Sequence, residues 1–385
     1  MVKLQRFVDV KILLFYFCLL TSGISVPIAV HESESISAGD DYSSLLLVSA
    51  VFRHGDRTAD EFETYPNDPY KHKDFYPDGN GQLTIAGKIR AYNLGLMLRD
   101  KYNSLLGDVY YPPNVYARST DVSRTKMTLQ LVLAALYPPV DGQKWNSNLT
   151  WQPMEMTYIP KTQDDLLFPF VCSTYVEMLK DLLQSSEVKK KIEQFNDFME
   201  TVSKYTGENV TSITNLTVLY TTLYVQYSMN LPLPKWTQDM FPNGKLLEAT
   251  LLFFKLLSYD KLKYFNGGVL LNTIIEDMNK VINESLPNRK INLFSAHDIN
   301  VAAILHALNI PLLHTPGYTS SVIIELHKKS EAYFVKVLYY LGTPSNIKEI
   351  RIPGCEILCP YNKFVELTWS TNVSKEPCNP AKIDE

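Results

Sequence analysis

Three short segments of the chain concentrate side chains able to hold and attack an anion: Arg53-His54-Gly55-Asp56-Arg57, Arg118-Ser119-Thr120-Asp121 and His297-Asp298. Guanidinium forks match the oxygens of a phosphoryl group bidentately, and glycine at 55 lets the backbone approach a bound anion. Cleaving a phosphate monoester needs a nucleophile that divides the reaction into two steps. It also needs cations for the equatorial oxygens and an acid for the departing alkoxide. His54 has the chemistry of the nucleophile and Asp298 that of the acid, with Arg53, Arg57, Arg118 and His297 as phosphate ligands. A carboxylic acid serves while it keeps its proton, so this set predicts an optimum below neutrality, at about pH 5.

Each residue also has a plainer use. An RHG tripeptide occurs by chance, Arg57 alone reads as a solvated charge and Arg118 alone as a salt-bridge partner. An aspartate ahead of a helix, as at Asp298, is commonly an N-cap. His31, His72, His306, His314 and His327 fall outside the three segments and read as core or surface residues. No HxxxH, HExxH or carboxylate cluster supports a metal, so neither metal nor other cofactor is expected.

For the three segments to converge, each must end a strand of one sheet, because ligands bind beyond the carboxyl ends of strands in open α/β sheets. Leu45 to Phe52 is a continuous apolar run and reads as a buried parallel strand ending at Arg53. Val115-Tyr116-Ala117 and Ile291 to Ser295 read as two more, each followed by a helical pattern. A helix is predicted from Leu83, with Ile89, Tyr92, Leu96 and Leu98 among its apolar positions, and another through Met127, Leu131 and Ala134 to Tyr137. Val301, Ile304, Leu305 and Leu308 have helical spacing up to Asn309 and Pro311. Ser321–His327 and Tyr333–Leu341 read as late strands. Between about Cys172 and Asn288 the pattern is mostly helical, as in Glu187–Tyr205 and Lys245–Leu257. The expected fold class is α/β: a doubly wound, mainly parallel sheet with helices on both faces, formed by 42–160 and 289–385. A smaller, mostly helical domain over 161–288 would be inserted into it.

Composition allows one large domain or two unequal ones: 385 residues, 45% hydrophobic and 20% charged. Residues 1–25 read as a secretory signal, with Lys3, Arg6 and Lys11 before a nine-residue apolar run, Ile12 to Leu20, too short to span a membrane. Its removal takes three basic residues and one acidic, leaving 34 basic against 40 acidic, a net charge of −6. Such a balance attracts neither nucleic acid nor anionic lipid. Of five cysteines, Cys18 leaves with the signal. The other four suit disulfides outside the cytosol, Cys355 with the nearby Cys359, leaving Cys172 for Cys378. Asn148, Asn209, Asn215, Asn283 and Asn372 open N-x-S/T sequons. The expectation is a secreted glycoprotein, with the lysosomal lumen as the other compartment.

Val51-Phe52-Arg53-His54-Gly55-Asp56-Arg57-Thr58 resembles the RHGxRxP signature of the histidine acid phosphatases. The segment Val115 to Thr125 resembles that family's source of a third phosphate-binding arginine, and Ser295-Ala296-His297-Asp298 its distal HD motif. Gln82 to Gly87 and Pro353-Gly354-Cys355 are similar too, and the likeness runs in order from about Leu45 to Cys378. The resemblance implies the same α/β fold with a helical side domain, a phosphohistidine intermediate, no metal, the same two disulfides and a homodimer. Its substrates would be small phosphomonoesters or phosphoproteins. The distal HD favours general acid phosphatases over inositol polyphosphate phosphatases. Ala59 stands where the signature has proline, so a looser loop is expected after Arg57. Two rival readings are a mutase-like phosphotransferase, which the signal and distal acid oppose, and a catalytically silent secreted binding protein, which retention of every motif residue opposes.

Overall fold

The computed structural model describes residues 44–259, 262–342, 347–369 and 378. The signal segment and Asn372 lie outside them. Eight strands are present among the described residues: β1 (Leu45–Arg53), β2 (Val115–Ser119), β3 (Thr157–Tyr158), β4 (Ile291–Ala296), β5 (Ser321–Lys329), β6 (Ala332–Tyr340), β7 (Ile347–Ile350) and β8 (Leu358–Pro360). The α-helices are α1 (Ile85–Leu106), α2 (Ser123–Leu136), α3 (Ser173–Gln184), α4 (Ser186–Glu193), α5 (Asn196–Thr206), α6 (Ile213–Ser228), α7 (Lys245–Leu257), α8 (Val269–Ile282), α9 (Asp298–Ala307) and α10 (Tyr361–Trp369).

The strands form one mixed sheet in the order β3-β2-β4-β1-β5-β6-β7, with β8 on β6. β1 to β4 run parallel, β5 reverses against β1, and β6 reverses again. Strand β1 is apolar from Leu45 to Phe52 save Ser49 because it is covered on two sides. Val48, Ala50 and Phe52 join Leu94, Leu98 of α1 and Leu129, Val132 of α2 in one core. Leu47 and Val51 join Leu270 and Ile274 of α8, Ile304 of α9 and Phe364 of α10 in another. A third core unites α3 to α7 with Ile299 and Ala302 of α9. Helix α8 falls within the mostly helical stretch of the sequence, yet it packs on the sheet.

Two expectations about helices need correction. In α1 the buried face is Gly87, Ala91, Leu94, Gly95, Leu98 and Tyr102, whereas Ile89, Tyr92 and Leu96 are exposed. Helix α2 lies so close that a Cβ on Gly95 would meet the Val132 carbonyl oxygen at 2.4 Å. Gly95 takes the close contact, Leu94 and Leu98 pack beside it, and Ile89, Tyr92 and Leu96 face out. The run Glu187–Tyr205 is two helices, α4 capped by Ser185 and α5, broken where Phe195 turns into the core.

Cys355 and Cys359 form the expected disulfide. Cys172 and Cys378 do not: they stand as free thiols, in hydrogen-bonding contact with each other. Burial first, and then Cys172, pushes the Cys378 thiol up to about 12.

Candidate active site

Strands β2, β4 and β1 are neighbours and parallel, so their carboxyl ends open on one side. Arg53 ends β1 opposite Ala296 in the register, which sets His54 beside His297. The two imidazoles stand edge to face with centroids 5.6 Å apart, and both are buried. The loop after β1 is held down by the start of α1. A Cβ on Gly55 would lie 2.3 Å from the Gly87 carbonyl oxygen, and one on Gly87 2.0 Å from that of Asp56. Thr84 caps α1 and its N–H donates to Asp56 O at 3.0 Å. Thr58 N donates to Gln82 O and Gly81 N to Ala59 O, so the loop carrying Ala59 is fastened on both sides.

The hydrogen bonds fix the tautomer of His54. Its Nδ1 lies 2.8 Å from Gly55 O, which can only accept, so Nδ1 carries the proton. Nε2 therefore offers a lone pair, and Arg124 Nε donates to it at 3.1 Å. Burial, followed by the charges of Arg124 and Arg53, holds the imidazole well below its ordinary proton affinity. His54 is a neutral, oriented base with its free nitrogen aimed into a ring of cations.

Arg53 lies under the site with its guanidinium 4.0 Å from the Tyr318 ring centroid and Nη1 donating to Pro316 O at 2.8 Å. Its Nε and Nη2 are buried without a hydrogen-bond partner, a condition that calls for an anionic ligand. Arg57 donates from both terminal nitrogens to Glu63, also buried, and has Asp60 3.6 Å away. His297 Nε2 sits 3.2 Å from Thr120 Oγ1, which is 2.7 Å from Thr125 Oγ1. Thr125 Oγ1 donates to Val122 O at 2.8 Å, and His297 Nδ1 is buried without a hydrogen-bond partner. Asp298 accepts from the Ile299 N–H at 2.8 Å through Oδ1, while Oδ2 has no hydrogen bond and lies 3.8 Å from Arg53 Nη2. Burial pushes this carboxyl up to about 6 against the pull of Arg53.

Of the expected ligands, Arg53, Arg57 and His297 gather around His54 with Asp298. Arg118 does not. It is level with Phe294 and hence with Val51, two residues short of Arg53, and shares its register with the face of Val51. There it pairs with buried Asp164. The third arginine at His54 is instead Arg124, from the first turn of α2, buried and also paired with Asp60 at 3.3 Å. Sequence reasoning passed over it because it weighed the strand end and not the helix that follows. Its place in a helix's first turn beyond the carboxyl end of a strand was the available signal.

Residues 44–340 match the family model described as "Histidine phosphatase superfamily (branch 2)". A venom acid phosphatase of Apis mellifera is 40% identical over 89% of this chain and 90% of its own length. The prostatic acid phosphatase of Homo sapiens is 35% identical over 85% and 87%. Among solved structures, a phytase from Klebsiella sp ASR1 superposes with a TM-score of 0.65 at 17% identity, covering 85% of this chain and 96% of its own, a likeness of fold.

Proposed function

The chain belongs to branch 2 of the histidine phosphatase superfamily and is a phosphomonoester hydrolase of the acid phosphatase kind, and from that premise we propose a reaction passing through His54. Nε2 of His54 attacks phosphorus in line, the P–O bond to the leaving group breaks, and Asp298 passes its proton to the departing oxygen. A phosphohistidine remains. Water then attacks phosphorus, Asp298 takes a proton from it, the P–N bond breaks, and inorganic phosphate leaves. Arg53, Arg57 and Arg124 hold the equatorial oxygens with His297, and the reading replaces Arg118 by Arg124 in that role.

The observation that carries this is geometric: Gly55 O engages His54 Nδ1 so that Nε2 faces Arg124, and Asp298 Oδ2 stands unbonded beside Arg53 in the same buried cluster. His54 is held deprotonated while Asp298 is held up to about 6, so nucleophile and acid are ready together in mild acid. Supporting features for secretion are the signal-like segment 1–25, the disulfide and the exposed sequon residues Asn148, Asn209 and Asn283. No helix among the described residues is long and apolar enough to cross a membrane. The deciding measurement is phosphate release from p-nitrophenyl phosphate with EDTA present, for the native protein and His54→Ala. The proposal expects acid-favoured turnover abolished by the substitution, and an alkali-quenched reaction that retains label from the phosphate on the protein. Turnover that survives in His54→Ala excludes the covalent route.

A further inference from the structure

Three carboxylates are paired with the arginines around His54, and each is held differently. Glu63 is fully buried and takes both terminal nitrogens of Arg57, whose Nη1 donates also to Thr58 O at 2.9 Å. Glu63 is therefore the partner that orients Arg57. Asp298 is buried beside Arg53 and is the proposed acid. Asp60 differs from both. Its side chain is 17% exposed, and Oδ2 faces two guanidinium groups, Arg57 Nη1 at 3.6 Å and Arg124 Nη1 at 3.3 Å. A charge-assisted N–H···O bond settles at about 2.7–2.9 Å, so both contacts are loose.

The main chain around Asp60 is pinned while its carboxylate is not. Asp60 N donates to Glu63 Oε2 at 3.0 Å, and Asp60 O accepts from Glu63 N at 3.1 Å. The carboxylate rests against Gly81, where φ is +67° and a Cβ would lie 2.1 Å from Oδ1. It has that place because residue 81 lacks a side chain. Arg124 links this carboxylate to the nucleophile, since its Nε donates to His54 Nε2 at 3.1 Å while Nη1 faces Asp60. While that bond stands, the lone pair that must attack phosphorus is engaged. A phosphate arriving at His54 needs the same guanidinium nitrogens for its own oxygens.

We infer that Asp60 is the resting counter-anion of Arg57 and Arg124, a positioning residue that keeps Arg124 on His54 until a phosphate takes its place. Carboxylate and phosphate compete for the same two cations, so Asp60 sets how tightly the site holds substrate and product alike. Entry of the ester displaces the carboxylate towards its exposed side, and its return after hydrolysis helps inorganic phosphate to leave. A merely supporting role predicts the opposite sign. Removing a support loosens phosphate, whereas removing a competitor tightens it.

The inference rests on the proposed reaction, and its test separates the two. Inorganic phosphate is titrated calorimetrically into native protein, Asp60→Asn and Asp60→Glu in mild acid, and kcat and KM for p-nitrophenyl phosphate are measured alongside. Asp60→Asn keeps the shape and loses the charge, and is expected to bind phosphate about tenfold more tightly, the scale of one charge removed from beside a bound anion. KM should fall with it while kcat does not rise. Asp60→Glu keeps the charge and should stay within about threefold of the native values. Phosphate affinity unchanged or weakened in Asp60→Asn overturns the counter-anion role, and so does equal tightening in Asp60→Glu. Native protein that binds phosphate but turns over no ester overturns the reaction beneath it, and the phosphate titration then decides Asp60 by itself.

Discussion

Asp298→Asn should make the protein more stable at neutral pH while crippling part of its chemistry. The carboxyl is buried, one oxygen has no hydrogen bond, and its pKa stands at about 6 against an ordinary 3.8. A tenfold change in proton affinity is worth about 1.4 kcal/mol, so carrying the charge in the folded state costs about 3 kcal/mol. Because the folded value is raised, the contribution is whole below 3.8 and is lost as pH climbs through about 6. Asparagine is nearly the same shape, keeps an oxygen for the Ile299 N–H and is never charged. Urea unfolding in phosphate-free buffer, which avoids stabilisation by a bound anion, should show the variant stabilised by up to about 3 kcal/mol at pH 7.5 and unchanged at pH 4. On the kinetic side an alkyl phosphate, whose alkoxide needs a proton, should slow by about 10²- to 10⁴-fold. p-Nitrophenyl phosphate, with its stable phenolate, should slow far less. A stability gap independent of pH would refute the buried-acid argument. Equal slowing of the two esters would refute the proton-donor role.

Arg124→Ala should lower kcat by about 10² to 10³, the cost of one preorganised donor to a developing charge. Arg118→Ala should instead cost about 3–5 kcal/mol of stability, because it strands Asp164 in the interior, and leave most p-nitrophenyl phosphate turnover in a folded sample; reversed phenotypes would return Arg118 to the phosphate site. Asn215 should carry no glycan while Asn148, Asn209 and Asn283 remain open to it, because Asn215 is half-buried and its Oδ1 accepts from Ser212 Oγ at 2.6 Å in a helix start. Glycopeptide mass spectrometry reads this directly, and an occupied Asn215 contradicts it. Cys172 and Cys378, free thiols in contact, should titrate as two thiols in denatured, unreduced protein; a titre of zero would show that the pair has closed to a disulfide.

What could be read from the sequence depended on whether a side chain's position follows from its own strand. His54, Arg53 and His297 are fixed by strands that stop where the apolar runs stop, and the sheet order then brings them together. Strand type was legible in the same way: Leu45 to Phe52 is apolar at every step save Ser49, because both faces are covered. Arg118 shows where that reasoning fails. Convergence at a sheet's edge needs the right end, the right face and the right register, and Arg118, level with Val51 and so two residues short of Arg53 on the same face, lacks the last. Alternation along a strand decides the face, but pairing with β4 decides the register, and pairing is a tertiary fact. Arg124 reaches His54 from a helix whose direction is set by packing on α1 through Gly95, which no local periodicity reports. The exposed Ile89, Tyr92 and Leu96 fail for the same cause. Where glycine lets two backbones touch, the buried face centres on it, so of the four apolar positions read from the sequence only Leu98 is buried. The catalytic centre obeys the same geometry. Gly55 and Gly87 clamp the loop that orients His54, so the nucleophile owes its free nitrogen to a contact between two glycines 32 residues apart.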